Sequence, residues 1–269
     1  MEFIGREEEL EILEREYARR SSFTVVYGRR RVGKTTLVRR FAEGRESLYF
    51  LATEESVTEN LARFSRMVSS ELGFEGIRFA RWHDALEAVT RGGKKVIIID
   101  EFPYIASSDP SIPSQFQEIW DNTLKDREVM LILCGSFKGM MERYVLNRTS
   151  PLYGRRTATL KLRPLEFKTI RRAYPDRDVR ELLEEYACHG GVPKYMEILE
   201  GMDLREGILR NIANRNGVLF EEPLFLLNGE TRNPVSYISI MNCMAKGNVQ
   251  LKDIAGSMEV PSNTLTPYL

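Results

Sequence analysis

The segment Gly28-Arg-Arg-Arg-Val-Gly33-Lys34-Thr35 constrains the fold more than any other stretch of this 269-residue chain. It follows an apolar run, Phe23–Tyr27, and opens a helical pattern over Lys34–Ala42, so it reads as the turn from a buried strand into a helix. Glycines let such a turn curl until successive N–H groups face one point, and the helix N-terminus adds positive potential there. A phosphate group fits that cradle. Lys34 is then a point charge on the β- and γ-phosphates of a nucleotide, and the Thr35 hydroxyl is a ligand for Mg2+. Gly28, Arg29, Arg30, Arg31, Val32, Gly33 and Thr36 complete the expected nucleotide-binding loop. The three arginines occupy positions of loose residue type and read equally well as solvated. A Gly-rich turn without a ligand is the competing reading, and the flanking strand and helix argue against it.

A strand of this kind needs partners. Ser47–Ala52, Lys95–Asp100, Val129–Cys134 and Thr159–Leu162 are apolar runs that alternate with helical patterns over 7–20, Val57–Leu72, Asp84–Thr90, Ser114–Lys125 and Lys138–Leu146. Runs rather than alternating patterns predict a parallel sheet buried on both faces, an α/β class flanked by helices. Pro103, Pro110 and Pro113 are read as bracketing a loop. After Pro164 the strand signals stop, and Phe167–Tyr174, Val179–Cys188, Lys194–Leu199 and Leu204–Asn214 read as helices. The expected organisation is an α/β core over 1–164, an all-α lid over 165–228 and a third piece over 229–269.

The complement of a phosphate loop is acidic, and Asp100-Glu101 supplies it at the end of a buried run. Asp100 is the expected holder of the Mg2+ water shell, and Glu101 the base that polarises a water toward the γ-phosphorus. Taken alone the dipeptide also fits a simple turn cap. The adjacent pair matches ATPases with a glutamate base. No NKxD guanine-reading motif occurs, which points to ATP, and no LSGGQ-type signature occurs, which disfavours a transporter ATPase. Lys+Arg and Asp+Glu are both 39, so bulk charge proposes neither nucleic acid nor anionic lipid. No apolar run approaches the ~20 residues that span a bilayer, and the charged N-terminus lacks a signal core, so a cytoplasmic location with no membrane partner is expected. Cys134, Cys188 and Cys243 form no CxxC pair and read as reduced thiols; with only His83 and His189 beside them, a structural zinc is not expected.

Phe3-Ile4-Gly5-Arg6-Glu7, the phosphate loop, Ile97-Ile-Ile-Asp-Glu-Phe-Pro-Tyr-Ile105, Leu131–Ser136, Pro151–Arg156 and Gly190-Gly-Val-Pro-Lys-Tyr195 follow in that order. Together, over about residues 2–200, they resemble the archaeal-type P-loop ATPases related to the STAND and AAA+ groups. The resemblance implies that Phe3, Ile4 and Arg6 border the adenine, although the same segment fits a hydrophobic staple before a helix. It implies that Ser136 is a polar sensor of the γ-phosphate, where a helix cap is the alternative. Arg155 and Arg156 stand where relatives carry an arginine acting on a neighbouring subunit, which implies a homo-oligomer; a surface pair is the alternative. Pro193 corresponds to the glycine–proline element that packs the lid against the base. No arginine matches the second sensor of AAA+ proteins, which favours the STAND-like variant.

In the last stretch, Val235–Lys246, Leu251–Met258 and Pro261–Leu269 read as helices, and Leu251–Leu265 resembles the helix-turn-helix of a winged-helix domain, with small Ala255 at the crossing. Family relatives continue into a complete winged helix, so a truncated form of a longer protein is expected. The segment 235–269 carries only Lys246 and Lys252 as basic residues, which argues against strong phosphate-driven DNA binding. The favoured expectation is a Mg2+-dependent ATPase acting as a switch on the C-terminal module. A DNA- or protein-binding regulator with ATP as a structural ligand is the alternative, and a small-molecule kinase ranks behind both.

Overall fold

Five strands line up in parallel in the computed structural model, which describes residues 3–73, 76–91, 95–231 and 233–268. They are β1 (Ser21–Tyr27), β2 (Ser47–Leu51), β3 (Lys95–Asp100), β4 (Val129–Gly135) and β5 (Ala158–Lys161), in the order β2-β3-β4-β1-β5. Helices α1 (Glu7–Tyr17), α2 (Lys34–Ala42), α3 (Val57–Glu71), α4 (Trp82–Val89), α5 (Phe102–Ser108), α6 (Ile112–Asn122) and α7 (Lys138–Met141) fall before and between them. The class is α/β, with the sheet flanked by helices as the apolar runs require.

Alternation along each strand divides the interior into two cores. On one face Phe23, Val25, Ile97, Ile99, Leu131 and Leu133 pack against α3 to α6 through Phe64, Trp82, Leu86, Ile105 and Phe116. On the other, Val26, Val96, Ile98, Met130, Ile132 and Cys134 pack against α1 and α2 through Leu13, Leu37, Val38 and Phe41. Each fully buried side chain of this size stabilises the fold by roughly 1.5–3 kcal/mol, so both helical layers are held by burial. The period of two also places Asp100, which continues the Val96 and Ile98 series, on the α2 side. That placement decides the chemistry below.

The loop expected across Pro103–Pro113 is corrected: Phe102–Ser108 is a helix with Pro103 in its first turn, where a missing N–H costs nothing. Beyond β5, α8 (Phe167–Ala173), α9 (Val179–His189) and α10 (Pro193–Leu199) surround a small core of Leu165, Ile170, Leu182 and Met196, against which Ile4 packs. The chain divides into two compact units, one through Glu200 and one from Gly201. The division therefore falls inside the span expected for the lid, and α8 to α10 belong with the sheet. The expected break near 229 touches residue 232, which lies outside the described residues.

The second unit is helical: α11 (Leu204–Asn211), α12 (Glu222–Glu230), α13 (Pro234–Ala245), α14 (Leu251–Ser257) and α15 (Ser262–Leu265). Ile240, Ile254, Ala255 and Leu265 form its core. Among the described residues no helix is long and apolar enough to cross a membrane. All three cysteines are free.

Candidate nucleotide site

Parallel strands send every carboxyl end to one edge of the sheet, where open α/β sheets bind their ligands. Gly28 leaves β1 there, Asp100 and Glu101 leave β3, and Ser136 leaves the intervening β4. The loop is tightly made. A Cβ on Gly28 would overlap the Leu162 carbonyl, and Gly33, at φ 91°, caps α2 in the left-handed region that glycine enters at no steric cost. No side chain caps α2, so its first N–H groups stay open to an anion. Lys34 is only 4% exposed, and its Nζ donates to the carbonyls of Gly28 at 3.0 Å and Arg29 at 2.9 Å. Burial lowers the Lys34 pKa, and the charges of Glu101 and Asp100 oppose that fall.

Asp100 is the hub. Its Oδ2 accepts from Thr35 Oγ1 at 2.6 Å and from the Tyr49 hydroxyl at 2.8 Å, while Oδ1 accepts from the Glu101 N–H at 3.0 Å. Burial, followed by the Asp100 charge, pushes the Tyr49 phenol well above its ordinary range, so it stays protonated and donates. Glu101 sits at φ 53°, a left-handed conformation that is strained for a non-glycine residue and turns its side chain toward β4. There the Ser136 N–H donates to Oε2 at 3.0 Å and the Ser136 hydroxyl donates to Oε1. The resulting chain runs Thr35, Asp100, Glu101, Ser136. Thr35 and Asp100 present hard oxygen donors 2.6 Å apart, which fits a Mg2+ ion that takes one or two protein oxygens and fills its shell with water and phosphate. Among the described residues no group of three His, Cys, Asp or Glu side chains competes as a metal site.

The remaining candidates fall into two sets. Pro193 lies against the loop, its ring 3.8 Å from where a Cβ on Gly33 would stand, and the Lys194 N–H donates to Arg31 O at 3.4 Å. Arg29 donates to the Tyr195 hydroxyl at 3.3 Å, and the Arg29 and Arg31 guanidinium groups each lie 5.9 Å from the Tyr195 ring centroid. Arg30 is exposed and faces Phe137, and Thr36 is exposed. Val32 is buried in the α2-side core, and its carbonyl accepts from Arg6 at 3.0 Å. That guanidinium also donates to Arg163 O at 2.7 Å and to Glu9 at 2.9 Å, so Arg6 braces the loop against the chain leaving β5. Phe3 packs on the sheet core and Ile4 on the core of α8 to α10. Arg155 and Arg156 are tied elsewhere. Arg155 pairs with Asp121 at 3.0 Å, and Arg156 donates to Tyr153 O, Leu146 O and Thr159. None of these partners belongs to the Asp100 cluster.

Three residues around the loop and the Gly190–Gly191 turn have no site role in the sequence reading. Tyr49 is a single tyrosine whose polar tip needs a partner once its ring is covered, and that requirement is the only sequence signal it carries; Tyr195 ends the Gly190–Tyr195 motif, which by itself assigns it no contact with the loop. His189 is 5% exposed, and its Nδ1 accepts from the Gly191 N–H at 3.0 Å, in the turn whose Gly191 O accepts from Leu165 N at 2.7 Å. Burial lowers the His189 pKa, with Glu185 opposing. A folded pKa below the unfolded value leaves stability intact above about pH 6.5 and removes it as pH falls further, because the unfolded chain then binds the proton. Melting temperatures are therefore expected to drop between pH 7 and pH 5 more in wild type than in His189→Gln. Parallel pH profiles would show that this histidine is not the group responsible.

Comparison with known proteins gives a consistent result. The family described as ATPase domains predominantly from Archaea matches residues 3–199. An uncharacterized protein of Methanocaldococcus jannaschii is 35% identical over 268 residues, covering 99% of this chain and 60% of its own length. The chain thus spans about three-fifths of that relative. Among solved structures, the Walker-type ATPase of Pyrococcus abyssi superimposes with a TM-score of 0.70 at 20% identity, covering 96% of this chain and 84% of that one. A STAND protein of Pyrococcus horikoshii with a tetratricopeptide repeat sensor gives 0.53 at 18% identity, covering 89% of this chain and 34% of that one. At these identities the superpositions show a shared P-loop ATPase fold.

Proposed function

This chain belongs to the family of ATPase domains found predominantly in Archaea, and from that premise we propose that it binds Mg-ATP at the Gly28–Thr35 loop, hydrolyses it slowly and works as a nucleotide-driven switch. The observation that carries the reading is the hydrogen-bonded chain from Thr35 through Asp100 and Glu101 to Ser136. Loop N–H groups and Lys34 hold the phosphates, and Lys34 exchanges the Gly28 and Arg29 carbonyls for phosphate oxygens. Mg2+, held by Thr35 and through water by Asp100, supplies charge neutralisation when bound. Glu101 takes the proton of the attacking water, for which it must give up part of its bonding to Ser136. That requirement favours slow turnover. Because Arg155 and Arg156 are engaged within the chain, the reading assigns transition-state charge to Lys34 and the loop, without an arginine from a second copy.

The switch reading draws on the Arg29–Tyr195 and Arg31–Lys194 contacts, through which a filled loop pulls directly on the start of α10. In the second unit, Ala255 of α14 is buried in the core it shares with Leu265 of α15, and Glu259 takes a left-handed turn between the two helices, which supports the helix-turn-helix reading. Phe225, Val235 and Met244 are each more than half exposed there, while 235–269 carries only two lysines. Those features favour a protein partner over DNA for that unit. A cytoplasmic setting suits both.

Thermal melting alongside phosphate release tests the proposal. ATP at about a hundred times its Kd stabilises a binding-competent fold by about 2.7 kcal/mol, a rise of roughly 5–10 °C for a unit of this size. We expect that rise together with Mg2+-dependent phosphate release. Stabilisation without release would leave ATP as a structural ligand, and the absence of both effects would contradict nucleotide binding altogether.

A further inference from the structure

We propose that Tyr49 is a positioning residue for the metal-binding carboxylate, fixing the plane of Asp100 so that it can serve the water shell of Mg2+. The inference rests on the reading of Thr35 and Asp100 as the metal site. Thr35 and Tyr49 donate to the same oxygen of Asp100, at 2.6 Å and 2.8 Å, and the Glu101 N–H holds the other. A Thr35 hydroxyl that gives an oxygen lone pair to a cation can still donate its hydrogen to Asp100, but its position then follows the ion. Tyr49 is the side-chain donor to Asp100 that lies outside the phosphate loop, and it keeps the carboxylate in place independently of the ion.

Tyr49 is built for that task. It sits on the strand next to β3, opposite Ile98 in register, and its side chain lies on the α2 side with Asp100. The Arg39 guanidinium from α2 covers its ring at 4.3 Å from the centroid. Strand register and the capping cation leave the hydroxyl little freedom, and hydrogen-bond partners of metal ligands tune affinity through that kind of restraint. A tyrosine that merely satisfies a buried polar tip would show the same bond, so stability alone does not separate the two roles.

The test is a titration of Mg2+ against binding of a fluorescent ATP analogue, in wild type and Tyr49→Phe, with a chelator series as the metal-free arm. Tyr49→Phe keeps the ring and loses only the donor. We expect its Mg2+ midpoint to rise about tenfold while metal-free nucleotide affinity stays at the wild-type value. Tyr49→Leu should show the same midpoint shift with a lower melting temperature, since the ring is lost as well. A wild-type midpoint in Tyr49→Phe would overturn the inference and leave the metal site standing. Nucleotide binding by wild type without any Mg2+ dependence would overturn the metal site itself, and this inference with it.

Discussion

Glu101→Gln is expected to bind Mg-ATP within about twofold of wild type and to release phosphate at least about a hundredfold more slowly, the usual contribution of a positioned general base. The substitution is nearly isosteric. The Ser136 N–H can still donate to the amide oxygen, and the Ser136 hydroxyl can turn from donor to acceptor for the amide nitrogen. The left-handed backbone at Glu101 is unchanged in cost, because Gln and Glu meet the same clash at φ 53°. What disappears is the lone pair that takes the proton of the attacking water. Nucleotide titration and phosphate release on the same preparation separate these effects, and equal turnover in the two proteins would remove Glu101 from the chemistry.

Lys34→Ala should act one step earlier. The ammonium is nearly buried and points along the loop at the Gly28 and Arg29 carbonyls, so its natural exchange partner is a phosphate oxygen. Truncating one side of such a charge-assisted contact costs about 3 kcal/mol, roughly a hundredfold in Kd. The rise in melting temperature with Mg-ATP should shrink accordingly at fixed nucleotide concentration. The ligand-free protein should melt close to wild type, because the truncation removes a desolvated ammonium together with its two bonds, and the two effects oppose each other. Calorimetric titration of ATP reads the change directly, and an unchanged Kd would place the phosphates somewhere other than this loop.

What the sequence made legible follows from distance along the chain. Gly28, Gly33, Lys34 and Thr35 lie in one continuous turn, so their spacing alone groups them. Asp100 and Glu101 end an apolar run, and the period of two in a strand groups Asp100 with Val96 and Ile98, while the structure shows that α2 covers that face. Ser136 needed the ordered set of motifs, because a serine after a strand has many ordinary roles. Tyr49 stays hidden because its contact depends on which strand pairs with β3, and Tyr195, though inside a motif, gains its role only from the packing of α10 against the loop, which no local pattern contains. Arg155 was visible as a residue while its partner Asp121, on α6, was not. Helix α5 reads as loop in the sequence because prolines dominate its surroundings, although Pro103 at its start is compatible with helix. Helix α12 left no stripe to detect: Leu224, Phe225, Leu226 and Leu227 are consecutive, so no helical period emerges.

The central claim is that water attacks ATP at this loop. Turnover of Mg-ATP in heavy-oxygen water, in wild type and Lys34→Ala side by side, tests it most directly. The account predicts inorganic phosphate carrying one solvent oxygen per molecule, formed by wild type and lost in Lys34→Ala. Phosphate release that persists in Lys34→Ala, or wild-type turnover that puts no solvent oxygen into phosphate, would contradict it.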